Sequence, residues 1–293
     1  AALHLVRPCQ GRTLLQTGGG FPRQVNGQQR ILSIVFFMEG YFGRESTHGK
    51  RQVFRLVGIG QNSPYYNKRF LDLDEADQRK IKQAVLRAVN IRQLGPVGES
   101  TSAYHIFERL NTGGTPLTPQ EIRNCVFRGA LSSLLKTANL NEHWRTILGK
   151  TTLDKHQKDV EVLLRVFSLV GSVNRYEKPM KEFLNKTMKM HDGGDTKKVK
   201  KFFSMFPLVT KLIADTLGDK PFHLRGPLNV SALDSVMTVV FENYDKITSD
   251  DLYNGFNNLT SSDEFLRLTQ LGTTDTKTMQ ERITFVRSFL LGQ

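Results

Sequence analysis

Two short stretches concentrate the residue types that bind anions. The first is Asn26-Gly27-Gln28-Gln29-Arg30, followed at once by an apolar helical pattern. Asn-Gly makes a tight turn, and the opening N–H groups of the following helix have no acceptor within it, so they can converge on an anion. Arg30 stands in the first turn, where the helix dipole disfavours a cation by up to ~1 kcal/mol. A bound phosphate turns that cost into a charge-assisted, bidentate contact. Gln28 and Gln29 can donate to phosphate oxygens or hold a water. The competing reading is an ordinary turn with a solvated arginine.

The second stretch runs from Phe107 to Asn124. Phe107 and Asn111 are four residues apart and share a helix face, so a ring and an amide could meet a base or a phosphate together. Gly113-Gly114 permits positive φ and close approach of the backbone to a ligand. Thr118-Pro119-Gln120-Glu121 is a helix start, with Thr as cap, Pro at the first position and Glu at the third. Leu117 and Ile122 are spaced as its hydrophobic staple. The competing reading is a well-made helix-loop-helix with Phe107 in the core.

Other candidates carry less. Lys197, Lys198, Lys200 and Lys201 precede Phe202-Phe203 and could grip nucleic-acid phosphates, although such runs are commonly solvated faces. Gly149-Lys150-Thr151 lacks the Gly that a phosphate loop needs five residues earlier, where Trp144 stands. Two cysteines support neither a disulfide framework nor a four-thiolate zinc site, and no metal site is expected. No paired-His spacing of a nuclease occurs.

The elements that must position these residues are readable from periodicity. Ile31, Ile34, Val35 and Met38 recur at helical spacing and predict a helix over 28–39 with that stripe buried. Residues 52–57 and 89–94 read as strands, and 74–88 as a polar helix opening on acids. From residue 102 onward helices dominate, at 102–110, 119–128, 155–170, 197–217, 231–244 and 276–291 among others. The fold class is therefore α+β: a small mixed region over 1–128, its N-terminal part incomplete, then a predominantly helical region over 129–293. With 293 residues and 39% hydrophobic content the chain can build a sizeable core. Its net charge is +13. The stretch 226–293 has nine acids and five bases, so the first 225 residues carry +17, a field suited to polyanions. A spanning helix needs about 20 apolar residues, so no membrane association is expected and the location reads as cytoplasmic.

The two motifs together, Gly27-Gln28-Gln29-Arg30 then Phe107-x-x-x-Asn111-Thr-Gly-Gly and Leu117-Thr-x-x-Glu121-Ile-x-Asn124, resemble the N-terminal domain of GmrSD-type restriction endonucleases. The resemblance implies a ParB/sulfiredoxin-like fold, covers residues 24–128 and is weaker beyond. It implies a nucleotide-binding pocket made by the first motif and completed by the Phe-x-x-x-Asn element, in a DNA restriction or anti-phage system. A nucleoside triphosphate is the implied cofactor, with Mg²⁺ left open, and DNA and a nuclease subunit are the implied partners. Asn26 stands where the family has Asp. An amide caps the turn but cannot serve as a carboxylate base or metal ligand, so hydrolysis, which would fall to Gln28, Gln29 and Arg30, stays open. Two rivals remain: a non-enzymatic ParB-like DNA-binding protein, and a structural family member whose pocket has decayed.

Overall fold

The computed structural model describes residues 15–16, 28–42, 52–86, 91–92, 101–110 and 116–292. The chain divides into two compact units, Ala1–Gly95 and Pro96–Gln293.

In the first unit, strand β1 (Leu15–Gln16) pairs in parallel with β4 (Ile91–Arg92). Helix α1 (Gln28–Glu39) leads through Gly40, at φ +83°, into β2 (Tyr41–Phe42), which pairs antiparallel with β3 (Gln52–Val53). Helix α2 (Glu75–Gln83) is capped by Asp74, whose side chain accepts from the Asp77 N–H at 2.8 Å. The core is aromatic: Phe37, Phe54 and Phe70 meet around Leu73, with Phe37 lying 5.5 Å from Phe54 and 5.8 Å from Phe70, ring centre to ring centre.

Three details of this unit differ from the periodicity reading. Phe37, rather than the Ile31 and Val35 stripe, anchors α1; Ile31 and Val35 are 40% and 39% exposed. The larger aromatic surfaces of Phe37, Phe54 and Phe70 set the helix's rotation, since each buries more apolar area than a β-branched side chain. The expected strand over 52–57 pairs as strand only at 52–53; Leu56 then exchanges bonds with Asn67 and Lys68 across a turn in which Asn67 adopts φ +59°. Helix α2 stops at Gln83 instead of running to about residue 88, because Ala84 turns to an extended conformation.

The second unit is helical. Helix α3 (Ser102–Leu110) packs on α4 (Pro119–Val126), and α4 on α7 (Lys158–Leu169) and α8 (Met180–Met190). Between them in sequence come α5 (Ala130–Ala138) and α6 (Glu142–Leu148). The long α9 (Lys197–Leu217) and α10 (Val230–Glu242) carry much of the core; α11 (Ser249–Thr260), α12 (Asp263–Leu268) and α13 (Thr276–Leu291) close it. Eleven consecutive residues of α10, Ser231–Phe241, are buried, so this helix is enclosed by its neighbours on every side. The structure thus bears out an α+β chain with a predominantly helical region.

Candidate functional site

The first motif opens α1. Gln28, Gln29 and Arg30 form its first turn, which contains no acid, and the helix is fixed at its far end by Phe37 in the aromatic core. Asn26 and Gly27 lie outside the described residues. The opening N–H groups of this 12-residue helix have no acceptor inside it. For Mg²⁺ this turn offers no carboxylate ligand.

The second motif belongs to the second unit. Phe107 lies on α3 with only 4% of its surface exposed, so its ring is packed in the interior. Asn111, Gly113 and Gly114 lie outside the described residues. The capping box at Thr118 forms as the spacing requires: the Glu121 N–H donates to Thr118 Oγ1 at 3.4 Å, and the Thr118 N–H donates to Glu121 Oε2 at 2.8 Å. Thr118 Oγ1 also donates to the His156 carbonyl at 2.8 Å, fastening this helix start to the segment before α7.

A continuous polar cluster, unforeseen from the sequence, runs behind that cap. Gln120, Arg123 and Asn124 sit at i, i+3 and i+4 on one face of α4. Arg123 is 1% exposed. Its guanidinium donates to Asn185 Oδ1 at 2.9 Å, Gln120 Oε1 at 3.1 Å and Glu161 Oε2 at 2.7 Å, tying α4 to α7 and α8. Gln120 donates on to Asn124 Oδ1 at 3.2 Å, which also accepts from the Ser132 hydroxyl at 3.1 Å, while Asn124 Nδ2 donates to Gln157. On the other side, Glu182 accepts from Thr101 Oγ1 at 2.8 Å and Asn185 Nδ2 at 3.2 Å, and stands 3.1 Å from His105 Nε2. Lys181 pairs with Glu108 at 2.7 Å. The i, i+3, i+4 spacing of Gln120, Arg123 and Asn124 was the available signal; a polar stripe on a helix with an apolar flank reads equally as a solvated face.

Tyr104 sits inside this cluster, fully buried, with Arg123 and Lys181 over its ring at 5.9 and 5.6 Å. Burial pushes its phenol up to about 12, with Arg123 opposing and the carboxylates of Glu108, Glu161 and Glu182 adding to the rise. Its hydroxyl has no hydrogen-bond partner.

The lysine run starts α9 behind the cap Thr196, whose Oγ1 accepts from the Val199 N–H at 3.3 Å. Its members do not act alike. Lys197, Lys200 and Lys201 are exposed. Lys198 turns inward and donates to the Ser168 carbonyl at 3.0 Å and the Ser172 hydroxyl at 3.1 Å, with its ammonium 5.1 Å from the centre of the Phe167 ring. It thereby supplies a cation to the carboxyl end of α7. Burial, with Arg175 nearby, lowers its pKa to about 8. Gly149-Lys150-Thr151 is the carboxyl cap of α6, with Gly149 at φ +63°.

With this geometry in place, the comparison with known families can be read. Residues 25–128 match the family model of the GmrSD restriction endonuclease N-terminal domain. Over that segment the chain is similar to the GmrSD N-terminal domain. Neither a curated protein nor a solved structure gives a significant match. The GmrSD segment spans all of α1 to α4 and ends two residues past α4, so it does not coincide with either compact unit. Its last helix, α4, belongs to the helical unit, where Arg123 bonds to Glu161 on α7 and Thr118 to the His156 carbonyl. Among the described residues no helix is long and apolar enough to cross a membrane, and no group of three His, Cys, Asp or Glu is placed to hold a metal ion.

Proposed function

We propose that this protein is a nucleotide-binding component of a DNA restriction or anti-phage system, with the phosphates of a nucleoside triphosphate held at the opening turn of α1. The observation that carries this reading is the start of α1 at Gln28 within the GmrSD segment, which puts Arg30 and two carboxamides in an acid-free first turn. Arg30 neutralises phosphate charge, while Gln28 and Gln29 donate to phosphate oxygens. With Asn26 in place of a carboxylate, any metal arrives bound to the phosphates. A thermal-unfolding series tests the proposal: a triphosphate at a hundred times its dissociation constant adds about 2.7 kcal/mol of stability. Absence of any stabilisation by ATP, GTP, CTP or UTP, with and without Mg²⁺, would refute it.

DNA is the second ligand of this reading. The exposed Lys197, Lys200 and Lys201 stand together on the first turn of α9, which contains no acid. Each lysine that meets a phosphate adds about 0.9 to the slope of log affinity against log salt. Binding at this turn is therefore steeply salt-dependent, and replacing the three lysines by glutamine flattens it.

A further inference from the structure

At the amino end of α10 lies a cavity of about 330 Å³, in the lower part of the range that holds small molecules. Its apolar side includes Leu228 and Leu266, and its polar side Arg225, Ser231, Gln270 and Thr273. None of the lining residues is acidic. We propose that this cavity is a binding site for a small organic anion, a phosphate monoester or a carboxylate with a compact apolar body.

Three observations converge on it. The first is a hydroxyl on the wall. Ser231 is 6% exposed and lines the cavity, and its side chain makes no hydrogen bond to any described residue. The second is charge. The Arg225 guanidinium is exposed at the cavity and has no carboxylate partner among the described residues. It stands beside the start of a 13-residue helix, where the dipole favours negative charge. Asn229 caps that helix by accepting from the Ala232 N–H at 3.0 Å, which leaves the N–H groups of Val230 and Ser231 without an acceptor inside the helix. The third is rigidity. The Asn229 N–H donates to the Phe222 carbonyl at 2.8 Å, closing the loop that carries Arg225. Across the cavity, the fully buried Arg282 donates to the carbonyls of Leu268 and Thr273, both at 3.1 Å, and so pins the turn that carries Gln270. Donors fixed in advance around a hollow lose little entropy when an anion arrives.

The size and apolar wall select an organic anion over a bare ion: the oxyanion takes Arg225, the Ser231 hydroxyl and the helix N–H groups, and the body lies on Leu228 and Leu266. The site is separate in sequence from the opening turn of α1. The test is a titration of the full chain, followed by amide NMR, with phenyl phosphate, benzoate and inorganic phosphate as probes at up to about millimolar concentration. Saturable shifts at Val230, Ser231, Gln270 and Thr273 are expected with at least one organic probe, and weaker ones with inorganic phosphate. The organic probe that binds more tightly identifies phosphate ester or carboxylate as the class. Arg225→Ala, a surface change, weakens that binding about tenfold, as loss of one charge-assisted contact requires. Arg30→Ala leaves it unchanged, whereas it abolishes stabilisation by a nucleoside triphosphate. No saturable shift with any of the three probes, or shifts that survive both Arg225→Ala and Ser231→Ala, would overturn the proposal without touching the nucleotide reading.

Discussion

Arg123 ties α4 to α7 and α8 within the helical unit, and Arg123→Met tests that role while keeping most of the side chain's apolar stem. The loss can be worked from its three partners. Asn185 Oδ1 and Gln120 Oε1, in residues 0% and 1% exposed, lose their donor, at about 1–2 kcal/mol each. Glu161 loses its ion pair, but its side chain is 31% exposed and water recovers part of that, so the term is about 1 kcal/mol instead of the 3–5 of a fully buried pair. The total is about 3–5 kcal/mol, a large share of an ordinary domain's stability. Urea unfolding followed by the fluorescence of Trp144 reads this directly, since it is the single tryptophan and is fully buried in the helical unit. The unfolding free energy should fall by that amount, and the midpoint by that amount divided by an unchanged slope. In a double-mutant cycle, Arg123→Met and Glu161→Gln should couple by about 1 kcal/mol. A loss below about 1 kcal/mol, or no coupling, would show that the cluster is ornamental and the reasoning wrong.

Further outcomes follow from the same geometry. The folded pKa of Lys198, about 8, lies below its ordinary 10.5, so the unfolded chain binds the extra proton between those values and stability rises with pH across that window by about 3 kcal/mol. Lys198→Met should flatten that rise; an unchanged pH profile would contradict it. Tyr104→Phe removes a buried hydroxyl with no partner and should leave stability at pH 7 equal or raise it by about 1 kcal/mol, with a drop of that size counting against the assignment. Because the phenol is held near 12, above its ordinary 10, its contribution is present below pH 10 and lost as pH climbs to 12; Tyr104→Phe should soften that alkaline fall. In duplex-DNA titrations at several salt concentrations, changing Lys197, Lys200 and Lys201 to Gln should lower the salt slope by up to about 2.7, while Lys198→Met leaves it unchanged. Equal effects from both would mean that Lys198 is not held inward in solution.

Local signals in the sequence located the elements well and their burial less well. Helices at Ser102–Leu110, Lys197–Leu217 and Thr276–Leu291 have the bounds that periodicity indicates, and Thr196 caps the second of them. The Thr118 capping box was legible for the same reason: its partners are three residues apart. Rotation of α1 was not, since the choice between the Ile31–Val35 stripe and Phe37 depends on Phe54 and Phe70, which arrive from later in the chain. The inward turn of Lys198 depends likewise on Ser168 and Ser172, and the cluster at Arg123 on Glu161 and Asn185. Long-range partners decide whether a charged residue is solvated or buried, and spacing along one helix carries no trace of them. Of the candidate anion site, Arg30 in the first turn of α1 was legible, whereas the packed state of Phe107 required the neighbouring helices.

The proposed binding of a nucleoside triphosphate at the opening turn of α1 through Arg30 is open to direct measurement. Titration calorimetry of the full chain with each of the four common nucleoside triphosphates, in parallel on wild type and Arg30→Ala, addresses it directly. Saturable binding of at least one nucleotide to the wild type, weakened about a hundredfold or more in Arg30→Ala as loss of a bidentate charge-assisted contact requires, is the expected result. Binding of equal strength in both proteins, or heat of dilution alone in the wild type, would contradict it.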